Sequence, residues 1–315
     1  MAVKTLFNNN DFVDILSVYD LGTYNISEAI QQGTVQTNYL ISTTKGKYVL
    51  RYYENRTFES VMFESDLLTL LTGNYYPCPG QVKSIRGALV NMYHGKPYVI
   101  FNFLMGEHVK QPNTNQKQQL IQKAAELQEV TQDFNSTYTK YRWNYDPDLC
   151  KSLASSEARK INTQDADDKF AWLANELTTL DLPATLPKGI CHCDFHFSNV
   201  LFQGDEFIAL LDFDDANYTY LQFDLVGLIE YWAWPHTMDN LELSTARNIV
   251  HEYMKHRSLS NLERYHLFDV YKLSILFDCV WYFSRGTAHD FYEQRKICAM
   301  NKLGRAKFYN ELFNN

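Results

Sequence analysis

The sequence predicts an α+β fold of two lobes, in which an N-terminal antiparallel sheet with one helix precedes a mainly helical C-terminal lobe. Over the first hundred residues, short runs of β-branched and aromatic residues alternate with turn residues, whereas helical patterns dominate from Lys117 onward. A polar stretch at residues 107–116 separates the two patterns. We therefore predict lobes at residues 1–104 and 105–315, and the chain of 315 residues is long enough for two packed interiors.

The N-terminal lobe is predicted to hold a small, mostly antiparallel sheet. Its predicted strands are residues 36–43, 47–53, 81–85, 88–92 and 98–101. The turn Thr44-Lys45-Gly46 joins the first two of them into a hairpin. Apolar residues at helical spacing from Phe58 to Leu71, with Gly73 as a stop signal, predict the single helix.

Composition excludes several classes of partner. The net charge is −8 and no long run of Lys or Arg occurs, so we expect no nucleic-acid partner. No stretch approaches the roughly 18 apolar residues that span a bilayer, so we expect no membrane partner either. The start of the chain lacks the apolar core of a signal peptide, which predicts a cytoplasmic protein with reduced cysteines.

The most informative segment covers residues 190–215. Val200-Leu201-Phe202, the turn Gln203-Gly204-Asp205 and the apolar residues 207–211 predict a short hairpin. Asn199 precedes the first strand and Asp212 follows the second, so the hairpin is expected to bring them together. Asp194 lies five residues before Asn199, in the loop that leads to the hairpin. Three oxygen-bearing side chains are thus predicted to converge at one end of the hairpin.

This pattern is suited to phosphoryl transfer. Mg²⁺ takes hard oxygen ligands, commonly one or two carboxylates together with phosphate oxygens, and a separate carboxylate must orient the attacking hydroxyl. His192-x-Asp194-x-x-x-x-Asn199 followed by Asp212-Phe213-Asp214 has the spacing found in kinases, with Asp in place of the last Gly. In these residues the chain resembles the aminoglycoside/choline/homoserine kinase family, which has a protein-kinase-like two-lobed fold.

The resemblance implies a role for each residue of the motif. Asp194 would be the catalytic base, and Asn199 and Asp212 would bind Mg²⁺. His192 would brace the catalytic loop, which Asp224 would secure. Asp214 and Asp215 would face either the metal or the substrate, and the sequence leaves the choice between these two roles open.

The resemblance also places ATP on the N-terminal lobe. The turn at residues 32–38 would cover the phosphates, and residues 101–104 would form the hinge that contacts adenine. The predicted nucleotide-binding residues are Gly33, Asn38, Arg51, Glu64, Asn102 and Leu104. Arg51 replaces the usual lysine and would pair with Glu64, although a solvent-facing strand arginine is the alternative.

The acceptor is predicted to be a small hydroxylated molecule. Tyr19-Asp20-Leu21-Gly22, Cys78-Pro79 and Phe283-Ser284-Arg285 are similar to homoserine kinases in particular, which makes homoserine the first prediction. The acceptor-site candidates are His196, Trp232, Tyr282 and Arg285. Choline or ethanolamine and the aminoglycosides are the alternatives. An arginine there would suit a carboxylate, an aromatic cage at residues 231–234 would suit choline, and an aminoglycoside would need an acidic lining. A nucleotide-binding pseudokinase is the alternative outside enzymes.

Overall fold

The computed structural model describes residues 5–31, 35–235, 238–284 and 293–314. The chain divides into two compact units. The first unit comprises Met1–Gln111, Asp133–Arg142 and Phe197–Asp214, and the second comprises Pro112–Gln132, Trp143–His196 and Asp215–Asn315. The first unit thus includes two segments that follow residue 104, and the lobe boundary at that residue stays a prediction.

The first unit contains a five-stranded antiparallel sheet. Its strands are β1 (Tyr24–Ala29), β2 (Thr37–Thr43), β3 (Gly46–Tyr52), β4 (Asn91–Tyr93) and β5 (Lys96–Asn102). Their order is β1-β2-β3-β5-β4, so β3 lies in the middle. Thr43 pairs with Gly46, and the predicted β2–β3 hairpin therefore closes through a two-residue turn. The antiparallel N-terminal sheet is confirmed.

Two helices accompany the sheet. The predicted helix is confirmed as α2 (Phe58–Gly73), which begins where the Thr57 side chain accepts the Ser60 N–H. A further helix, α1 (Asn9–Leu16), was not predicted. The Asn8 side chain caps its first turn while the Asp11 carboxylate accepts the Asn8 N–H, which is a reciprocal capping box. The apolar face of α1 packs into a core shared with β2, β3 and β5.

The prediction of a strand at residues 81–85 is wrong. Gln81 forms only an isolated bridge with Phe101, although the Val82 N–H still donates to the carbonyl of Ile100. By Ile85, the chain has left the sheet, because the Ile85 N–H donates to the Val18 carbonyl after α1. The segment thus bonds at Ile85 to the chain that follows α1, a helix that the sequence analysis did not predict.

A second hairpin belongs to the first unit. It consists of β7 (Val200–Gln203) and β8 (Glu206–Leu210), which pair antiparallel as predicted. Gly204 has a φ of +59° in the turn, a conformation that glycine adopts without steric cost. Phe202 and Glu107 exchange two backbone hydrogen bonds of 2.8 and 2.9 Å, and these hold the hairpin beside the segment that follows β5.

The second unit is mainly helical, as predicted. Its helices are α3 (Thr114–Val130), α4 (Pro147–Ile161), α5 (Gln164–Thr178), α6 (Phe223–Ala233), α7 (Leu243–Met254), α8 (Asn261–Ser284), α9 (Gln294–Leu303) and α10 (Arg305–Phe313). An antiparallel ribbon of β6 (Lys188–Cys191) and β9 (Asn217–Tyr220) accompanies them. In the part of the chain that the structure describes, no helix has the length and apolar character needed to cross a membrane.

Candidate active site

The β7–β8 hairpin brings Asn199 and Asp212 to the same end of the hairpin. Asn199 ends a 3₁₀ turn directly before β7, and Asp212 lies two residues after β8. The Leu211 N–H donates to the Asn199 carbonyl at 2.7 Å, which closes the base of the hairpin. Asn199 is 9% exposed, whereas the Asp212 side chain is 37% exposed. The two residues assigned to magnesium are therefore neighbours. Asp194 belongs to the second unit, so the convergence of Asp194 with Asn199 and Asp212 stays a prediction.

Arg51 connects the sheet to Asp212. It lies on the central strand β3, opposite Asn38 on β2 and Val99 on β5. Its Nη2 lies 2.5 Å from Asp212 Oδ1, and its Nη1 lies 3.9 Å from Glu64 Oε1. Burial lowers the pKa of Arg51. The charge of Asp212, with a smaller contribution from Glu64, outweighs burial and raises the pKa above its ordinary value. The predicted pairing with Glu64 is present, and the shorter contact is with Asp212.

Buried polar atoms around Arg51 leave donor and acceptor capacity open. Among the described residues, Arg51 Nε, Tyr53 Oη and Glu64 Oε2 are buried and have no hydrogen-bond partner. Such atoms are costly in a folded protein unless water or a ligand binds them. Burial raises the pKa of Glu64 to about 7, and the charge of Arg51 opposes this rise. The cluster therefore combines unsatisfied donor and acceptor atoms with a permanent positive charge.

Asp214 serves the structure of the first unit. Arg56 Nε and Nη2 donate to its two carboxylate oxygens at 3.0 and 3.2 Å, and Gln36 Nε2 donates at 2.9 Å. Burial raises the pKa of Asp214, but Arg56, then Arg51 and the hydrogen bonds, outweigh it and hold the pKa at about 2. The carboxylate is therefore ionised and fully engaged by its neighbours.

The remaining nucleotide-site candidates lie on the sheet and just beyond it. Asn38 is half-buried on β2, directly across from Arg51. Asn102 is exposed at the end of β5, where its N–H donates to the Gly80 carbonyl at 2.9 Å, and Leu104 is half-buried two residues later. Gly33 lies outside the described residues.

In the second unit, the loop that carries Asp194 is fastened by Asp224. The Asp224 side chain is buried at the start of α6, and it accepts the His192 N–H at 3.0 Å and the Cys193 N–H at 2.8 Å. Burial raises the pKa of Asp224, while His192 and the two backbone bonds oppose the rise. Cys193 has a φ of +63°, an uncommon conformation for a residue with a side chain, and these contacts hold it there.

His192 braces the same loop from inside. Its ring is fully buried, and its Nδ1 accepts the Asp194 N–H at 3.3 Å. Asp194 itself is exposed. The histidine and Asp224 thus act on the backbone of the loop, as the resemblance implied.

The acceptor-site candidates are partly described. The ring centroids of His196 and Tyr231 lie 3.9 Å apart in an edge-on arrangement. Burial lowers the pKa of His196, and the nearby charge of Asp194 opposes this shift. Trp232 is half-buried near the end of α6, with Lys117 Nζ 5.8 Å from its ring centroid. Arg285 and the side chain of Tyr282 lie outside the described part of the chain.

Replacing Asp224 by asparagine should lower the free energy of unfolding by about 1–3 kcal/mol, because an amide group retains one acceptor for two buried N–H donors. Thermal and urea unfolding measure the loss. Asp20→Asn is the control, since the Asp20 side chain is 84% exposed and its pair with Lys45 should contribute little. Equal stability of the two variants would contradict the role given to Asp224.

Sequence reasoning missed Arg56 and Arg142, and it did not relate Gln36 to Asp214. Each of these three residues contacts Asp214 from a distant part of the chain; Arg56 and Asp214, for example, are 158 positions apart. No local pattern marks these residues, and one sequence carries no signal of such pairings.

Comparison with known proteins extends these observations. The model of the phosphotransferase enzyme family matches residues 27–254. The homoserine kinase of Bartonella henselae is 29% identical over 272 residues, which cover 84% of this chain and 82% of that protein.

Solved structures are similar over nearly the whole chain. One is the amicoumacin kinase hAmiN in complex with AMP-PNP, Ca²⁺ and Ami, with a TM-score of 0.70, 16% identity and 95% of each chain covered. Another is a microcompartment-associated aminopropanol kinase, with a TM-score of 0.70, 15% identity and coverage of 96% of this chain and 100% of that one. These likenesses confirm the predicted protein-kinase-like fold. Since the family model spans well over half of its length, the chain belongs to the phosphotransferase enzyme family and is a small-molecule kinase that acts on a hydroxyl acceptor.

Proposed function

We propose that the chain transfers the γ-phosphoryl group of ATP to the side-chain hydroxyl of homoserine. The observation that carries this proposal is the similarity to homoserine kinase along 84% of the chain and 82% of the relative, which leaves little of either protein unmatched. Each unit, taken by itself, contains residues that are proposed below to take part in such a reaction.

Asp194 is the proposed catalytic base. The hydroxyl oxygen of the acceptor forms a bond to the γ-phosphorus while the bond from that phosphorus to the β,γ-bridging oxygen breaks, and ADP leaves with the bonding electrons. The hydroxyl proton passes to the Asp194 carboxylate. Support comes from its exposure and from the backbone contacts with His192 and Asp224 that fix its loop.

Asn199 and Asp212 are the proposed ligands of Mg²⁺. Their side chains offer hard oxygen donors, and the closed base of the hairpin supports their joint use. Within the described ranges no three His, Cys, Asp or Glu side chains are grouped as a metal site, so phosphate oxygens and water would complete the coordination. When bound, Mg²⁺ neutralises charge on the phosphate oxygens.

Arg51 is the proposed phosphate ligand on the sheet. It is charged at every physiological pH, and its buried Nε has no partner among the described residues. Gly33, Asn38, Asn102 and Leu104 complete the proposed nucleotide site by resemblance.

A choline acceptor is less well supported. An aromatic cage for a quaternary ammonium group needs open ring faces. The ring of Tyr231 already packs against His196, and Lys117 lies over Trp232. Two rings of the 231–234 segment are therefore engaged by other residues, one of them by a cation. Arg285 is proposed to pair with the carboxylate of the amino-acid acceptor.

A panel of acceptors tests the proposal. Coupled measurement of ADP release with homoserine, choline, ethanolamine and an aminoglycoside should give a kcat/KM for homoserine about 10²-fold or more above the others, since acceptors without a carboxylate leave charged groups unpaired. The Asp194→Asn variant controls for contaminating kinases. A higher kcat/KM with another acceptor would overturn the assignment of homoserine as the substrate. If none of the four acceptors led to release of ADP, the pseudokinase alternative would be favoured.

A further inference from the structure

Two arginines hold the turn after Asp212, one through a side chain and one through the backbone. The guanidinium group of Arg56 donates two charge-assisted hydrogen bonds of 3.0 and 3.2 Å to the Asp214 carboxylate. Arg142 Nη2 donates to the Asp214 carbonyl, and Nη1 of the same arginine donates to Ser60 Oγ on α2 at 3.0 Å. The turn is thereby fixed to two other segments of the first unit.

A third segment reaches the same carboxylate. Gln36 Nε2 donates to Asp214 Oδ2 at 2.9 Å, and the Gln36 side-chain oxygen accepts the Glu54 N–H at 2.7 Å. Gln36 directly precedes β2 and belongs to the turn that the resemblance assigns to the ATP phosphates. Asp214 therefore joins the sheet end of that turn to the chain that carries Asp212.

The backbone of Asp212 has an uncommon conformation. Its φ is +63°, in the left-handed region, which few residues other than glycine occupy, although aspartate and asparagine adopt it more readily than most. Asp214 lies two residues later in a 3₁₀ turn, and its side chain is 8% exposed. A carboxylate anchored at this point restricts how far the turn, and Asp212 with it, can move.

We propose that Asp214 is a positioning residue, which through Arg56 and Gln36 ties the chain at the start of β2 to the proposed magnesium ligand Asp212. The inference rests on the proposed function, because it concerns the metal that Asp212 would bind. It assigns Asp214 no contact with the metal or the acceptor, since its carboxylate oxygens are engaged by Arg56 and Gln36. Loss of this support should weaken metal-dependent nucleotide binding rather than nucleotide binding in general.

A double-mutant cycle tests the coupling. Asp214→Asn, Arg56→Met and the double variant are titrated with Mg²⁺ in the presence of a fluorescent ATP analogue, and a parallel titration omits the metal. Each single variant should raise the Mg²⁺ midpoint by about 10- to 100-fold, the usual effect of losing a group that orients a metal ligand. The double variant should add little to either, because both remove the same contact.

Lys272→Met is the matched control. Lys272 forms a buried pair with Glu176 in the second unit at 3.1 Å, so its loss should lower the melting temperature without moving the Mg²⁺ midpoint. Arg56→Lys replaces Asp214→Asn if the latter does not melt cooperatively, since lysine keeps the charge but not the fork. An unchanged Mg²⁺ midpoint in the folded variants overturns this inference and leaves the proposed function in place. Absence of magnesium-dependent nucleotide binding in the unmutated protein overturns it together with the proposed function.

Discussion

Replacing Asp194 by asparagine is expected to lower kcat with homoserine by about 10²- to 10⁴-fold, the range that general-base catalysis contributes. Asparagine keeps the size of the side chain but cannot accept the hydroxyl proton. Binding of ATP should persist, because the proposed base contacts the acceptor and not the nucleotide. Steady-state kinetics with homoserine and a separate nucleotide titration measure the two effects.

The contacts around the loop make this variant a clean test. His192 accepts the Asp194 backbone N–H, and Asp224 accepts the N–H groups of His192 and Cys193, so none of these bonds uses the Asp194 side chain. Asp148→Asn, an exposed carboxylate in the first turn of α4, is the matched control and should retain full turnover. Near-normal turnover in a folded Asp194→Asn protein would refute the assignment of the base.

Replacing Asp212 by asparagine is expected to raise the Mg²⁺ midpoint for ATP binding more than Asn199→Ala does. Asp212 would bring a full negative charge to the cation, whereas Asn199 would bring a dipole. The metal stabilises transition-state charge by several kcal/mol, so turnover should also fall by about 10²-fold or more. Titration of Mg²⁺ against nucleotide binding in both variants, with kcat at saturating metal, measures the difference.

The conformation of Asp212 favours asparagine for this test. Asparagine and aspartate are the non-glycine residues that most readily adopt a positive φ, so the backbone at +63° should persist. Glu206→Gln, an exposed carboxylate at the opposite end of β8, is the control. If Asp212 were only a turn residue, its variant would melt earlier and keep the Mg²⁺ midpoint of the unmutated protein, and that outcome would remove the metal site from the account.

Features that depend on neighbours in sequence could be predicted. The β2–β3 hairpin, α2 and the β7–β8 hairpin each follow from apolar periodicity and turn residues within about twenty positions. The juxtaposition of Asn199 and Asp212 followed as well, because a short hairpin brings its own ends together.

Features that depend on contacts between distant parts of the sequence could not be predicted. Arg51 and Asp212 are 161 positions apart, and Gln36 and Asp214 are 178 apart, so no local pattern relates them. This is why the role of Asp214 remained open until its partners were known. The helix α1 had a detectable signal, the pairing of Asn8 with Asp11 before an apolar face, but eight residues of mixed character are weak evidence for a helix.

The measurement that tests the central claim most directly is ³¹P NMR of homoserine incubated with the protein, ATP and Mg²⁺. The account predicts that the γ-phosphate signal of ATP is replaced by equal amounts of ADP and a phosphomonoester on the homoserine hydroxyl, and that the Asp194→Asn protein forms neither at a comparable rate. The account would be contradicted if the unmutated protein formed ADP and free phosphate without a phosphomonoester, or if it left the ATP spectrum unchanged.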